Sequence, residues 1–351
     1  MGRSQMDAIH GDDDLVQSMF LRHVAPLAYQ GDISTPETLS NLTKTIMYLN
    51  YKNTGQILSR AISGLDTAAW DVLGKKANKT VCDLVSARLD TTCREVVPVY
   101  CTNLTRNIAT PDLIDLIVSL RKETGVSAFK YKIARTMGRN TDVYPGRTEE
   151  VIPLVRKEID KLCGPGVKLM VDANGGYEQA GTAGAIAKLM QGYNYEWFEE
   201  PVPFWNYTET KKVKELGVVR IAAGENEYRA DNLDLMIDSG IVDIVQPDFG
   251  YAGGFSQVLR VAQRAAMKGI KIDPHSPDRS MTEFFSAHLM AAVSNAGPFL
   301  EYGCVDRSTP GGVFEDPIVI RNGTISVPKA PGWGVQLTEK WLNQSSSIVY
   351  P

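Results

Sequence analysis

Apolar and polar positions follow two different rhythms along this chain. From about residue 95 onward, short β-type runs take turns with stretches of helical length. The β-type runs are VVPVYC (near 97–101), AFKYKIA (128–134), VKLMVDAN (167–174), YEWFEEP (195–201), VRIAAGEN (219–226), VDIVQPDF (242–249), IKIDPHSP (270–277) and PFLEYG (298–303). Between most of them lie amphipathic segments such as EEVIPLVRKEIDKL at 149–162 and GFSQVLRVAQRAAMKG at 254–269. In the latter, Val258, Val261, Ala262 and Ala265 recur at helical spacing. Parallel strands need crossover helices, so eight such alternations predict an α/β fold, a (β/α)8 TIM-like barrel.

The flanks read differently. Residues 35–80 predict helices. TPETLSNLTKTIMYL starts on Thr35 as a cap, with Pro36 in the first turn and Glu37 nearby. In AISGLDTAAWDVLGKKA, Ile62, Leu65, Ala69, Val72 and Leu73 form an apolar stripe. After the barrel, PIVIRNGTISVP places two alternating runs around Asn322-Gly323, a hairpin signal. The tail GWGVQLTEKWL is expected to fold back beside it. The expected division is a partial, mainly helical capping region at 1–94, the barrel at 95–305, and a segment at 306–351 that returns to a small α+β capping domain.

Charge and composition narrow the function. The 37 basic and 41 acidic residues leave a net charge of −4, so no basic face is expected and nucleic acid is not a predicted partner. The opening MGRSQMDAIHGDDD has no apolar signal core, and no run approaches the roughly 20 apolar residues that span a bilayer, so the expectation is a cytoplasmic protein without a membrane partner. Cys82, Cys93, Cys101, Cys163 and Cys304 are odd in number and scattered, and read as reduced thiols of an intracellular protein. Six Asn-x-Ser/Thr triplets then read as chance matches. Four histidines are too few to suggest a histidine-built metal centre.

A barrel of this type places its chemistry at the C-terminal strand ends. The polar residues there are Lys130 and Lys132, Asp172, Glu199 with Glu200, Glu225, Asp248, His275 and Glu301. From Asp172 onward the steps are 27, 26, 23, 27 and 26 residues to Glu199, Glu225, Asp248, His275 and Glu301. One ionisable group per strand–helix unit puts all six around one mouth. Asp172, Glu199 and Glu225 on successive strands suit a hard, oxygen-preferring divalent cation, Mg2+ being the usual choice; without it their mutual repulsion would leave at least one protonated. Lys130 and Lys132, two apart on a strand, point the same way; each is expected to depress the other's pKa, so that one serves as a neutral general base. Asp248 and His275 form a dyad able to supply a second acid/base. His288, inside EFFSAHLMAA, reads as helix packing, and Trp197 and Phe198 as core.

With these motifs assembled, the chain resembles the enolase superfamily in its mandelate racemase/muconate lactonizing enzyme-like branch. The resemblance rests on Lys130-Tyr131-Lys132, VDAN at 171–174, FEEP at 198–201, GEN at 224–226, the Asp248/His275 pair, Glu301 and the GLDTAAWDVLGKKA helix. It implies Asp172, Glu199 and Glu225 as ligands of Mg2+, Lys132 as base on one substrate face with Lys130 assisting, and His275 with Asp248 as acid/base on the other. Glu301 would hydrogen-bond the bound carboxylate, and Asn174 would lie beside metal and substrate. The implied activity is abstraction of the proton alpha to a carboxylate through an enediolate, foremost dehydration of a sugar acid to a 2-keto-3-deoxy acid. Racemase, epimerase or lactone cycloisomerase activity is the alternative. The family's N-terminal antiparallel strands, whose loops form a lid, are not evident here, so a shortened, inactive barrel acting as a binding protein is an alternative of another class. Members are often multimeric, which allows a homo-oligomer.

Overall fold

A computed structural model of the protein describes residues 13–103, 105–304 and 312–344. Residues 1–12, most of the polar leader, lie outside that range. Five helices precede any strand among the described residues: α1 (Asp13–Met19), α2 (Ala25–Tyr29), α3 (Pro36–Leu49), α4 (Gln56–Ala77) and α5 (Val81–Leu89), with a π-helical turn at Phe20–Val24. Helix therefore begins well before residue 35, where the sequence pattern placed its start. Thr35 does cap α3: its hydroxyl accepts from the Thr38 N–H, and Thr38 completes the capping box in return. The α4 stripe is rotated from the expected one. Ile62, Ala69 and Leu73 are buried, but Val72 is 53% exposed and Trp70 takes the inward place. Trp70 wins because its large ring packs edge-on against Phe255 while its indole N–H donates to Ser256.

The eight expected strands all form: β1 (Val96–Asn103), β2 (Ala128–Lys132), β3 (Lys168–Asp172), β4 (Trp197–Glu199), β5 (Arg220–Ala223), β6 (Ile244–Val245), β7 (Lys271–Ile272) and β8 (Leu300–Tyr302). They alternate with α6 (Thr110–Thr124), α7 (Arg147–Cys163), α8 (Ala180–Gln191), α9 (Tyr207–Glu215), α10 (Ala230–Asp238), α11 (Phe255–Met267) and α12 (Met281–Ala292). Neighbours from β1 to β7 pair in parallel, and β1 also pairs in parallel with β8, so the sheet curls into a (β/α)8 barrel. Between β7 and β8 the contact is a single bridge, Ile272 to Ala296.

Inside the barrel, Tyr100, Ala128, Met170, Trp197, Ala222 and Ile244 form one buried apolar layer, one residue from each of six successive strands. The β period of two then fixes what comes next toward the C-terminal end. Two residues on are Thr102, Lys130, Asp172, Glu199, Gly224 and Gln246. The apolar layer is thus the floor beneath a polar one. Outside, α11 shows how tightly α4 is keyed to the barrel. Its N-cap is Gly254, which has no side chain, and Asp66 of α4 caps it instead by accepting from the Ser256 N–H at 2.9 Å. A Cβ on Gly254 would sit 2.6 Å from Asp66, so only glycine fits.

Two expectations fail here. Four of the five cysteines are paired, Cys82 with Cys93 and Cys101 with Cys304, leaving Cys163 free. The scatter in sequence hid this, because Cys101 lies within β1 and Cys304 just follows β8, strands that ring closure makes neighbours, with Cα atoms 5.2 Å apart. Such bonds belong to an oxidising environment. The hairpin is also reduced. Asn322 and Gly323 both take positive φ, as a tight I′-type turn requires, but the arms share only the Arg321–Thr324 bridge. The second arm, β9 (Thr324–Ser326), pairs antiparallel with the start of β1, which offers it a free edge. The tail does fold back. Trp333 donates its indole N–H to the Thr67 carbonyl, and Gly332 bridges to Thr80, before α13 (Glu339–Gln344). No helix among the described residues is long and apolar enough to cross a membrane.

Candidate active site

The strand-end residues singled out by their spacing converge on the barrel mouth. Ligand oxygens of Asp172, Glu199 and Glu225 all lie within 4.8 Å of one another, and all three side chains are buried. Asp172 and Glu199 are in register across β3 and β4. Glu225 stands one step past the interior position because Gly224, at φ 126, turns the chain there. The donor set is all carboxylate oxygen, without sulfur or imidazole, which fits a small hard divalent cation. Among the described residues no other group of three such side chains is close enough to hold a metal.

Two lysines neutralise part of this charge. Lys132 ion-pairs with Asp172 and donates to the Asn174 side-chain oxygen at 2.8 Å. Lys130 lies deeper, with Nζ 2.5 Å from Glu199 and 2.8 Å from Glu301, and it also faces the Tyr100 ring of the apolar floor at 5.3 Å. Burial would strip Lys130 of its proton, but Glu199 and Glu301 overcome that and hold its pKa well above the ordinary value. Of the two lysines, Lys130 is thus the one held as a cation, by its two carboxylates.

The acids respond individually. Burial raises the Asp172 carboxyl, but Lys132, Lys130 and Arg106 bring it down to about 2. For Glu199, burial together with Asp172, Glu301 and Glu225 outweighs Lys130 and pushes the carboxyl up to about 7, the repulsion expected of a triad without its cation. Glu301 is opposed by burial yet held below its usual range by Lys130, His275 and the Ser276 N–H, which donates to it at 2.9 Å. It thus lies between Lys130 and the β7 loop.

Across the mouth, His275 Nδ1 is 2.9 Å from Asp248 and its Nε2 is 3.5 Å from Glu225. Burial works against the imidazolium, but the Glu225 charge and the Asp248 hydrogen bond raise its pKa to about 10. Asn174, in the left-handed region at φ 42, ties the two sides together, since its amide nitrogen donates to Asp172 and Glu225 at 3.1 and 3.3 Å.

Several polar groups here carried no assigned role in the sequence. Glu200, buried and at φ 39, accepts from Asn226 at 3.0 Å; burial and then Glu225 keep its carboxyl well above the usual range. Gln246 donates to Glu199 at 2.9 Å, and its place two residues beyond Ile244 was readable from the strand period. Asp273 is buried beneath Glu301 with neither oxygen hydrogen-bonded, and burial, then Glu301, raises it strongly. Arg106, three residues past β1, donates to the Ala134 carbonyl at 3.2 Å, to the Ile133 carbonyl and to Asn174. No spacing signal marks it.

Comparison with known proteins agrees with this arrangement. Residues 112–341 match the family model described as Enolase C-terminal domain-like. A protein from Roseobacter denitrificans with a provisional racemase designation superposes with a TM-score of 0.87 at 33% identity, covering 95% of this chain and 88% of that one. The D-galactarolactone cycloisomerase of Agrobacterium fabrum is 28% identical over 85% of this chain and 78% of its own length. The D-xylonate dehydratase of Haloferax volcanii is 27% identical over 81% and 68%. With the barrel, the strand-end groups and these matches in agreement, the chain belongs to the enolase superfamily, in its mandelate racemase-like branch.

Proposed function

We propose that this protein removes the proton alpha to the carboxylate of a small sugar acid and eliminates water, forming a 2-keto-3-deoxy acid. The observation that carries the reading is the placement of two acid/base groups against one carboxylate triad. Lys132 contacts Asp172 from β2, and His275 approaches Glu225 from beyond β7. Those strands lie far apart around the ring, so a substrate held at the triad has one group on each face.

In this reading Asp172, Glu199 and Glu225 hold a magnesium ion, which supplies charge stabilisation for the dianionic enediolate. Lys132 takes the proton from the α-carbon. Lys130, kept cationic by Glu199 and Glu301, adds fixed positive charge beside the developing negative charge. Glu301, its position set by Lys130 and the Ser276 N–H, orients the substrate carboxylate, and Asn174 holds the Lys132 side chain in place. His275, held by Asp248, delivers a proton to the departing hydroxyl. If it delivered that proton to carbon instead, the outcome would be epimerisation; the likeness to a cycloisomerase makes isomerisation the second reading.

The test is incubation of the purified protein and Mg2+ with a panel of sugar acids, followed by a colour reaction for 2-keto acids. Dehydration predicts colour that is lost with a chelator and in Lys132→Ala. If no colour forms, proton NMR in heavy water decides: exchange at the α-carbon means an isomerase, and no exchange in any acid overturns the reading.

A further inference from the structure

Six asparagines stand in Asn-x-Ser/Thr triplets: Asn41, Asn78, Asn103, Asn206, Asn322 and Asn343. With 15 asparagines and 43 serines and threonines among 351 residues, chance alone would give about two. The excess carries no meaning in a chain of reduced thiols, but these thiols are paired, Cys82 with Cys93 and Cys101 with Cys304. Disulfides persist in the secretory route, and there the same triplet marks acceptors of an oligosaccharide on surface loops.

The fold sorts the six. Asn103 is buried at the end of β1, and its side-chain oxygen accepts from the Thr105 N–H, so no sugar fits there. Asn206 is half-buried and caps α9 by accepting from the Glu209 N–H. Asn41 is exposed but lies within α3, and the serine of the Asn343 triplet lies outside the described residues. Asn78 and Asn322 differ from all of these. Both are exposed and stand at turns, with φ of 50° and 51°, and neither side chain is hydrogen-bonded among the described residues. Asn78 ends α4, and Asn322 opens the Asn322-Gly323 turn; asparagine tolerates the left-handed backbone at both.

Both also lie far from the barrel mouth. Helix α4 begins beside the loop after β5, where Gln56 and Ser59 donate to the Asn226 and Tyr228 carbonyls. Its 22 residues then carry the chain about 33 Å away to Asn78. Beside Asn322, the Gly323 N–H donates to the Thr124 carbonyl just ahead of β2, at the opposite end of the barrel. Sugar chains at these two positions leave the site open.

We propose that Asn78 and Asn322 are N-glycosylated, so that the chain matures in the secretory route. In that step the carboxamide Nδ2 displaces lipid diphosphate from C1 of a lipid-linked oligosaccharide. One C–N bond forms, one C–O bond breaks, the nitrogen gives a proton to the transferase, and the lipid diphosphate leaves. The proposal is independent of the reaction proposed for the barrel mouth.

The experiment takes the full chain from the cells that make it and maps its peptides by mass. The map is repeated after an amidase has released N-glycans in heavy-oxygen water, which turns each glycosylated asparagine into a labelled aspartate. Label is expected at positions 78 and 322 and not at 103. A bare asparagine at either position in the untreated chain overturns the assignment of that site, and bare asparagines at both overturn the route as well. The variants Asn78→Asp and Asn322→Asp, made in the same cells, keep the turns, because aspartate also tolerates the left-handed backbone. Each should run one glycan step faster than wild type on a gel, and level with it after release. A variant that runs level with wild type before release overturns its site.

Discussion

Two histidines of this chain, His275 partly buried and His288 fully buried, are opposite in character. His275 faces Asp248 and Glu225 at the barrel mouth, and those charges raise its pKa to about 10 against the pull of burial. His288, on α12, accepts from the Cys82 N–H at 3.1 Å through Nδ1 and meets the Trp333 carbonyl at 3.1 Å through Nε2. Burial dominates there and lowers its pKa to about 4, the carbonyl countering only in part. Burial alone therefore makes a neutral imidazole that fastens α5, α12 and the tail. Uncancelled carboxylates are what turn a buried imidazole into a proton carrier.

The largest effect that would break this contrast is kinetic. His275→Asn should lower turnover by about 10²–10⁴-fold with little change in melting temperature, whereas His288→Asn should leave kcat within about 3-fold. Steady-state rates and thermal melts on both variants check it; a fully active His275→Asn enzyme would remove His275 from the chemistry.

Next in size is stability at the other histidine. His288→Ala removes two hydrogen bonds and the edge contact with Trp333 at 5.5 Å, and should cost about 4 kcal/mol in denaturant unfolding. A loss below about 1 kcal/mol would show the tail to be held by other contacts. The neighbouring Cys82–Cys93 bond closes a short loop, so Cys82→Ser with Cys93→Ser should cost up to about 3 kcal/mol without altering kcat. Unchanged melting of the double variant, or of wild type in reductant, would contradict the pairing.

The smallest effect is a pH dependence. The unfolded chain binds the His288 proton near pH 6.5 and the folded chain only near 4. The stability contributed is complete above 6.5 and is lost as pH falls from 6.5 toward 4. At pH 5.5 the loss is about 1 kcal/mol. His288→Gln should flatten that slope in denaturant melts at pH 7.5 and 5.5, and an unchanged slope would assign it to another group.

What was legible in the sequence follows from what repeats. Each strand–helix unit is 23 to 27 residues long, so one ionisable group per unit marks the mouth from Asp172 to Glu301. The period of two within strands likewise set Lys130 and Lys132 inward. Arg106 was not legible, since it lies on an irregular loop whose course no period dictates. Nor were the cysteine pairs, because Cys101 and Cys304 are 203 residues apart until the ring closes. The Asn322-Gly323 turn was legible as a turn, but its partner was not, because β1 competed for the second arm. Val72 was misplaced for a related reason: a helix of 22 residues offers two apolar stripes, and Phe255 and Ser256 selected the one through Trp70.

The lone Ile272–Ala296 bridge between β7 and β8 has a mechanical meaning. Elsewhere the ring resists shear through continuous ladders, so the whole hoop is stiff except at one joint. His275 rides on one side of that joint and Glu301 on the other, coupled by the Ser276 N–H. A small rotation there would change the spacing of the two groups without breaking a strand ladder, so the ring's least-paired joint is also the one that separates His275 from Glu301.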